Sequence, residues 1–427
     1  MTATPETEAQ GRTLLILSQV YVPDTPSVGQ HMHDAAAEMA RRGWRVLVYT
    51  SAVGYEDTSL RFPRREILDG VDVRRLPFSS FGKTSVLARL LGGTIFLVQA
   101  ILRSLFVRET RQILISTSPP MCSIAGLILG RVKGAEVSYW AMDINPDQLV
   151  AMGSIDAKAW AVRAFDRLNA RILKQSWRIV ALDCYMSETL SSKYPVADKT
   201  RIIPPWPHLD QTSKPLPHEK NPFRRQHGLE DHFVVMYSGN LSLAHPVDTI
   251  LEAADRLRNV KQLLFLFIGG GNGRQSLSDF IAERRLPNVK MLPYQPLSEL
   301  HYSLSSADVH LVAMGEPMVG IVHPCKIYGA MAVGRPVLFL GPERCHAGDI
   351  LNEFDIGWHI EHGDTDGAVA ALTEMLSTTR EKMELLGENA MRAASDKFSK
   401  ARLLSQFCDV LDEAGEPSHV PQACASA

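Results

Sequence analysis

The sequence predicts an α/β protein built from two doubly wound halves. Three observations carry this. Continuous apolar runs such as "TLLILSQVY" and "QLLFLFIGGG" recur along the chain, as parallel strands covered on both faces should. Segments of helical period alternate with them. The alternation breaks once, at a proline-rich stretch, and then starts again.

In the first half, "TLLILSQVY" reads as a central strand. The stretch "SVGQ" reads as part of the loop after it, followed by the helix "HMHDAAAEMARRGW", which stops at Gly43. "RVLVYTS", "QILISTS", "EVSYWAMD" and "RIVALD" read as further strands. "CSIAGLILGRVKG" and "CYMSETLSSKYP" read as helices between them. "IIPPWPHLDQTSKPLPHEKNP" holds six prolines, has little periodicity, and reads as the linker. The second half restarts with the strand "FVVMYSGN" and the helix "PVDTILEAADRLRN". Then follow "QLLFLFIGGG", "GRQSLSDFIAERR", "VKMLPY", "LSELHYSLSSA", "VHLVAM", "PVLFLG" and "GWHIEHG". The expected boundaries are 12–205 for the first domain, 206–222 for the linker and 223–395 for the second domain. A helical tail over about 380–414 is expected, with 396–415 crossing back onto the first domain and 416–427 disordered.

With 427 residues the chain is long enough for two full domains. A formal net charge of −2 argues against a general nucleic-acid binder. Six cysteines, at 122, 184, 325, 345, 408 and 424, form no C-x-x-C pair. That argues for a reducing cytosol and against a disulfide framework or a zinc site. The polar N-terminus lacks the apolar core of a signal peptide. "VLARLLGGTIFLVQAILRSLFV", residues 86–107, is the most lipid-like segment, but Arg89, Gln99 and Arg103 interrupt it. Arg89 and Arg103 bracket only thirteen residues, too few to span a bilayer. The segment reads either as a buried helix or as one lying on a membrane surface.

The residues that carry chemistry gather at strand ends. In such sheets ligands sit at the carboxyl ends of strands, and two halves imply a cleft between them. "FIGGGNGRQ" is a strand-to-helix turn whose glycines Gly270 and Gly271 let backbone amides approach a phosphate or base. A plain tight turn explains it as well, and "VKMLPY" ends without the acid a nicotinamide site would use. "YSGN" places Gly239 and Asn240 at another strand end, and "WAMDINPD" places Asp143 at a third, where a helix cap is the alternative. Gly29 lies in "SVGQ", either a flexible turn or a loop facing a phosphate or sugar. "DTD", Asp364–Asp366, precedes a helix and reads as a cap rather than a metal pair. "HMH" puts two histidines at i and i+2, which do not share a helix face. "HPCKIYGAMAVGRPVLFLG" puts Lys326 in a first helical turn, where the macrodipole disfavours a cation unless an anion stands in front of it.

In this order and spacing the pieces resemble a family 4 glycosyltransferase of the GT-B fold, over about residues 13–410. They are most similar to its bacterial surface-polysaccharide branch, the O-antigen, colanic-acid and capsule transferases. The stretches that carry the resemblance include "STSPP", "MDINPDQLVAMG", "NPFRRQHGL", "YSGNLSLAH", "FIGGGNGR", "LPYQP" and "HPCKIYGAMAVGRPVLFLG". The resemblance implies two Rossmann-like domains facing a cleft. The second binds a nucleotide-sugar donor, UDP- or GDP-linked, and the first holds a lipid-linked or saccharide acceptor.

Transfer would retain anomeric configuration and use neither a metal nor a further cofactor. The enzyme would be cytoplasmic, or peripheral on the inner face of the cytoplasmic membrane through 86–107, with no nucleic acid as partner. The catalytic positions implied are Lys326, Glu316 and Asp143. The donor-binding positions are Gly29, Gly239, Asn240, Gly270, Gly271, Tyr294, Pro324, Cys325 and Lys326. Against the family pattern, Gly329 stands where an acid is frequent, Leu243 where a base is common, and Cys325 where a serine is usual. Two other functions suit a chain of this form: a sugar-nucleotide epimerase, which would form product without an acceptor, and a donor-binding regulator, which would bind nucleotide without turnover.

Overall fold

The computed structural model describes residues 12–24, 26–55, 57–79, 86–117, 119, 121–209 and 216–413. The tail expected at 416–427 lies outside the described residues, as do 210–215 of the linker. The chain divides into two units. One runs to Pro204 and includes the chain from Leu403 onward; the other is Pro205–Arg402.

The first unit is an eight-stranded sheet. Its strands are β1 (Thr13–Leu17), β2 (Arg45–Ser51), β3 (Arg65–Leu68), β4 (Val71–Leu76), β5 (Thr110–Ser116), β6 (Glu136–Trp140), β7 (Arg178–Ala181) and β8 (Thr200–Ile202). They lie in the order β3-β4-β2-β1-β5-β6-β7-β8. Every residue of β1 is buried, because helices cover both faces of a parallel sheet. One departure from an all-parallel sheet is the hairpin of β3 and β4. Asp69 and Gly70 turn it, both at positive φ, the conformation that favours the Asp-Gly pair in tight hairpins.

The second unit is a six-stranded parallel sheet. Its strands are β9 (Phe233–Ser238), β10 (Leu263–Ile268), β11 (Val289–Leu292), β12 (Val309–Ala313), β13 (Val337–Leu340) and β14 (Gly357–Ile360). The order is β11-β10-β9-β12-β13-β14. After β11 the chain crosses back over β10 and β9 to place β12 on β9's other side. The carboxyl ends of β9 and β12 therefore form a switch point, where adjoining loops diverge and leave room for a ligand.

One expectation needs correction. "SVGQ" is not loop: the helix Ser27–Arg41 begins at Ser27, directly after Pro26. The Gly29 amide bonds the Pro26 carbonyl at 3.0 Å, so the stretch forms the helix's opening turn. The helical tail is built of two helices, Arg380–Asp396 and Lys400–Asp412. Phe398, 1% exposed, sits in the break and packs on Tyr328 at 5.4 Å between ring centroids. Burying that ring turns the chain out of helix.

The last helix belongs to the first unit through both packing and charge. Phe407 is fully buried, with its ring centroid 4.1 Å from that of Trp140 at the end of β6. Arg42 reaches Asp409 and Asp412 at 2.7 and 3.0 Å, and the Trp44 indole donates to Asp412 at 2.6 Å. The exposed pairs contribute little each, so the buried ring holds most of the energy. Phe407→Ala should destabilise the first unit by about 3–5 kcal/mol, read as a lowered midpoint of urea unfolding. A loss below about 1 kcal/mol would mean that the helix is not seated there.

Candidate active site

The second unit brings most of the predicted residues together by fitting two backbone turns into each other. Gly239, at the end of β9, has φ +143, and its amide bonds the Ile268 carbonyl at 2.9 Å. Gly269, at the end of β10, has φ +141, and a Cβ there would overlap the Gly239 carbonyl oxygen. A Cβ on Gly271 would overlap the Asn240 side chain and the Leu241 carbonyl. Leu241 and Gly270 join the turns by a 2.7 Å backbone bond, and Gly273 returns one to Leu241 at 3.0 Å. Only glycine supplies both the conformation and the space here. Tyr294, just beyond β11, lays its ring against Gly270, where an added Cβ would stand 3.0 Å from the ring edge. Arg274 ties the base of the turn, donating to the Gly269 carbonyl at 2.7 Å and to the Leu292 carbonyl at 3.2 Å.

Lys326 is the first residue of the helix Lys326–Ala332, with Pro324 buried and Cys325 exposed just before it. Its side chain runs back to the end of β9. The ammonium lies 5.0 Å from the Tyr237 ring centroid, a cation–π contact. A Cβ on Gly239 would stand 2.6 Å from Lys326 Cε. So Gly239 leaves the passage that the lysine occupies. Among the described residues Lys326 makes no ion pair, and burial lowers its pKa from 10.5 to about 8. The fall corresponds to roughly 3 kcal/mol against the charged form, yet at neutral pH the cation still predominates.

The helix that starts at Lys326 is held by a buried polar chain. The Tyr328 hydroxyl meets His323 Nε2 at 2.8 Å and His346 Nε2 at 3.0 Å. It has one proton, so it can donate to one ring and must accept from the other. Gly387 of the helix Arg380–Asp396 presses on Gly334, where an added Cβ would overlap the Gly334 carbonyl. Gly329 faces Leu304 at ordinary contact distance, so an acid is absent there and packing fills its place.

His245 lies beside the lysine and cannot stand in for the base missing at Leu243. Its Nδ1 is 2.9 Å from the Ala313 carbonyl and must donate to it. Burial first, and then the Lys326 charge, push its pKa down to about 3, so the ring is neutral. Leu243 itself is 70% exposed. Glu316 is exposed, in a short turn that opens with a 3.0 Å bond from the Gly315 amide to the Ala244 carbonyl. It therefore neighbours the His245 loop but makes no ion pair among the described residues.

Gly29 and Asp143 lie in the first unit. Gly29 is buried against the Tyr21 backbone, where a Cβ would meet Tyr21 Cα at 3.0 Å. In the same helix the His31 ring stands edge-on to Trp140 at 6.2 Å, three residues before Asp143. Burial raises the Asp143 pKa from 3.8 to about 6, which readies the carboxyl to hold or accept a proton near neutrality. "DTD" caps a helix: Asp364 accepts from the Gly367 amide at 2.8 Å, and Asp366 pairs with Arg256. His31 bonds the Ser27 carbonyl and His33 bonds Asp69, so "HMH" is split between two partners.

The description "Glycosyl transferase 4-like domain" matches residues 28–206, and "Glycosyl transferases group 1" matches residues 219–393. The chain belongs to the family 4-like glycosyltransferases. WcaI of Escherichia coli (strain K12), named for glycosyl transfer in colanic acid biosynthesis, is 24% identical over 410 residues, 92% of this chain and 98% of that one. Among solved structures, Anabaena HepE in complex with UDP and glucose superposes with a TM-score of 0.70 at 17% identity, over 94% of this chain and 99% of that one. WaaG, a glycosyltransferase involved in lipopolysaccharide biosynthesis, superposes at 0.69 with 18% identity, over 94% and 100%. The shared architecture is GT-B.

Two measurements check the site of this glycosyltransferase. The Lys326 Cε resonance should titrate with a midpoint of about 8; a midpoint near 10.5 would mean a solvated ammonium. Gly239→Ala should cost about 1–3 kcal/mol of stability, from its positive φ and the collision with Lys326. Unchanged unfolding in that variant would contradict the described packing.

Proposed function

We propose that this glycosyltransferase moves a hexose from a nucleoside-diphosphate sugar, UDP- or GDP-linked, to a lipid-linked or saccharide acceptor. The transfer retains anomeric configuration and needs no metal. Its place is bacterial surface-polysaccharide assembly, at the inner face of the cytoplasmic membrane. The observation that carries the reading is Lys326: a partly desolvated cation, without a carboxylate partner among the described residues, aimed at two interlocked glycine turns.

Breaking the bond between the anomeric carbon and the diphosphate oxygen leaves negative charge on that oxygen. Fixed positive potential there lowers the barrier. The helix behind Lys326 spans seven residues, under two turns, so the ammonium rather than the macrodipole carries that potential. Gly239, Asn240, Gly270 and Gly271 offer backbone approach to the phosphates, with Pro324 and Cys325 placing the lysine. Tyr294 offers a ring to the base, and Glu316 accepts from sugar or ribose hydroxyls. In the first unit, this reading gives Gly29 a part in donor binding and Asp143 a part in catalysis. The acceptor oxygen bonds to the anomeric carbon as the diphosphate oxygen leaves from the same face, and the acceptor's proton passes to the departing diphosphate.

A resemblance of relatives' names to colanic acid and lipopolysaccharide synthesis supports the polysaccharide setting. Among the described residues no three His, Cys, Asp or Glu side chains are grouped to hold a metal.

With a donor found by thermal-shift screening of UDP-, GDP-, dTDP- and ADP-sugars, Lys326→Ala should lower kcat/KM about thirty- to a hundredfold. That is the scale of a charge-assisted hydrogen bond, roughly 2–3 kcal/mol. Near-normal turnover would sink the assignment of the lysine. A product of inverted anomeric configuration by NMR would sink retention, and loss of activity in chelator would sink metal independence.

A further inference from the structure

One cavity in the first unit is walled chiefly by arginine. Arg45, Arg74, Arg103 and Arg108 line it over an apolar floor of Leu47 and Val107. Leu47 is 1% exposed and Val107 7%. The volume is about 180 Å³.

The fold brings these bases together from two strands and one helix end. Arg45 opens β2, and Arg74 lies on β4, which pairs with β2. Arg103 is in the last turn of the helix Val86–Ser104, and Arg108 stands two residues before β5. Arg45 is in register with Thr13, the first residue of β1, and Thr13 with Thr110, the first of β5. Arg45 and Arg108 therefore mark the amino ends of parallel strands. The ordinary ligand crevice of such a sheet lies at the carboxyl ends, so this is a different place.

Four bases around a small cavity repel one another unless negative charge balances them. Carboxylates supply little of it. Asp72 pairs with Arg74 at 2.7 Å but is shared with Arg65 at 2.9 Å. Glu109, next to Arg108, has φ +58, uncommon for a non-glycine residue, and does not line the cavity. Among the described residues Arg45, Arg103 and Arg108 make no ion pair. Helix capping does not account for them either. Lys133 already donates to the Leu105 and Val107 carbonyls at 3.1 and 2.6 Å, and the Tyr49 hydroxyl to the Arg103 carbonyl at 3.4 Å. Those are the carbonyls a base at this helix end would otherwise serve.

Three unbalanced guanidiniums suit a compact ligand with several negative charges. Each planar fork can bind two phosphate oxygens at once. A pocket for a whole cofactor runs to about 300–1,000 Å³, so this one takes a single compact group rather than a polymer. We infer that the cavity binds the diphosphate group of a small soluble molecule, through residues distinct from those of the candidate active site. The apolar floor lowers the local dielectric and strengthens the attraction. The bound group joins β2, β4 and the helix end, so binding stabilises the first unit. The inference rests on the first unit alone, not on the donor site or on any assigned reaction.

Full-length protein carrying Lys326→Ala, which removes the cation of the candidate active site, is titrated calorimetrically with sodium diphosphate in metal-free buffer. One diphosphate should bind per chain, and more weakly as salt rises. Arg103→Gln or Arg108→Gln in that background should weaken binding about ten- to a hundredfold, with circular dichroism reporting the fold. Hydrogen exchange of the native chain decides if a variant does not fold: diphosphate should protect residues 45–49 and 103–110. No saturable binding, binding unchanged by both arginine substitutions, sulfate bound as tightly as diphosphate, or no protection of those residues would overturn the inference.

Discussion

No side chain fits between the turns that close β9 and β10, and the second unit's chemistry depends on that exclusion. Gly269 and Gly271 can only be glycine because the Gly239 carbonyl, the Asn240 side chain and the Leu241 backbone occupy the space a Cβ would take. Gly239 is glycine for a different reason: the Lys326 stem passes where its Cβ would be. One absence of atoms thus fixes the turns and another admits the cation. Residues from β9, β10 and the helix after β12 meet in a few ångströms although nearly ninety positions separate Gly239 from Lys326.

The lysine's placement then depends on what holds a helix of only seven residues. Intrinsic helix stability is small at that length. Tertiary contacts supply it instead: Tyr328 between two histidine rings, Phe398 against Tyr328, and the close approach of Gly387 to Gly334. The break in the C-terminal tail and the placement of Lys326 are therefore connected. The residue that interrupts the tail's helix is also part of the packing that seats the helix bearing Lys326.

Much of this was legible in the sequence where the signal is local. Continuous apolar runs marked β1, β9, β10 and β12, and glycines after β9 and β10 marked the turns. Lys326 stood out because a cation in a first turn is electrostatically odd. What the sequence hid is non-local or small. β8 is three residues long, and β3 and β4 form a hairpin whose Asp69-Gly70 signal was present but was outweighed by the parallel pattern around it. The helix starting at Ser27 looked like loop because glycine and proline crowd its entry. That Gly269 matters as much as Gly270 follows from a contact with a residue thirty positions away, which no local pattern encodes. Tyr237 was visible as part of "YSGN", but its ring became informative only once the ammonium was found above it.

Among the described residues, positive charge stands without a carboxylate partner in two different physical settings. Lys326 is partly desolvated, and its pKa has fallen to about 8. An anion arriving there meets a charge already partly stripped of water, so the interaction is stronger and less screened by salt than at an exposed base. Arg45, Arg103 and Arg108 are exposed, and each contributes weakly, so they act only as a group and only where salt does not screen them. Charge developing on one oxygen suits the first setting, and a compact ligand already carrying several charges suits the second. Exchanging the two would serve neither: one half-buried lysine cannot balance several charges, and an exposed group of arginines cannot concentrate its field on one departing oxygen.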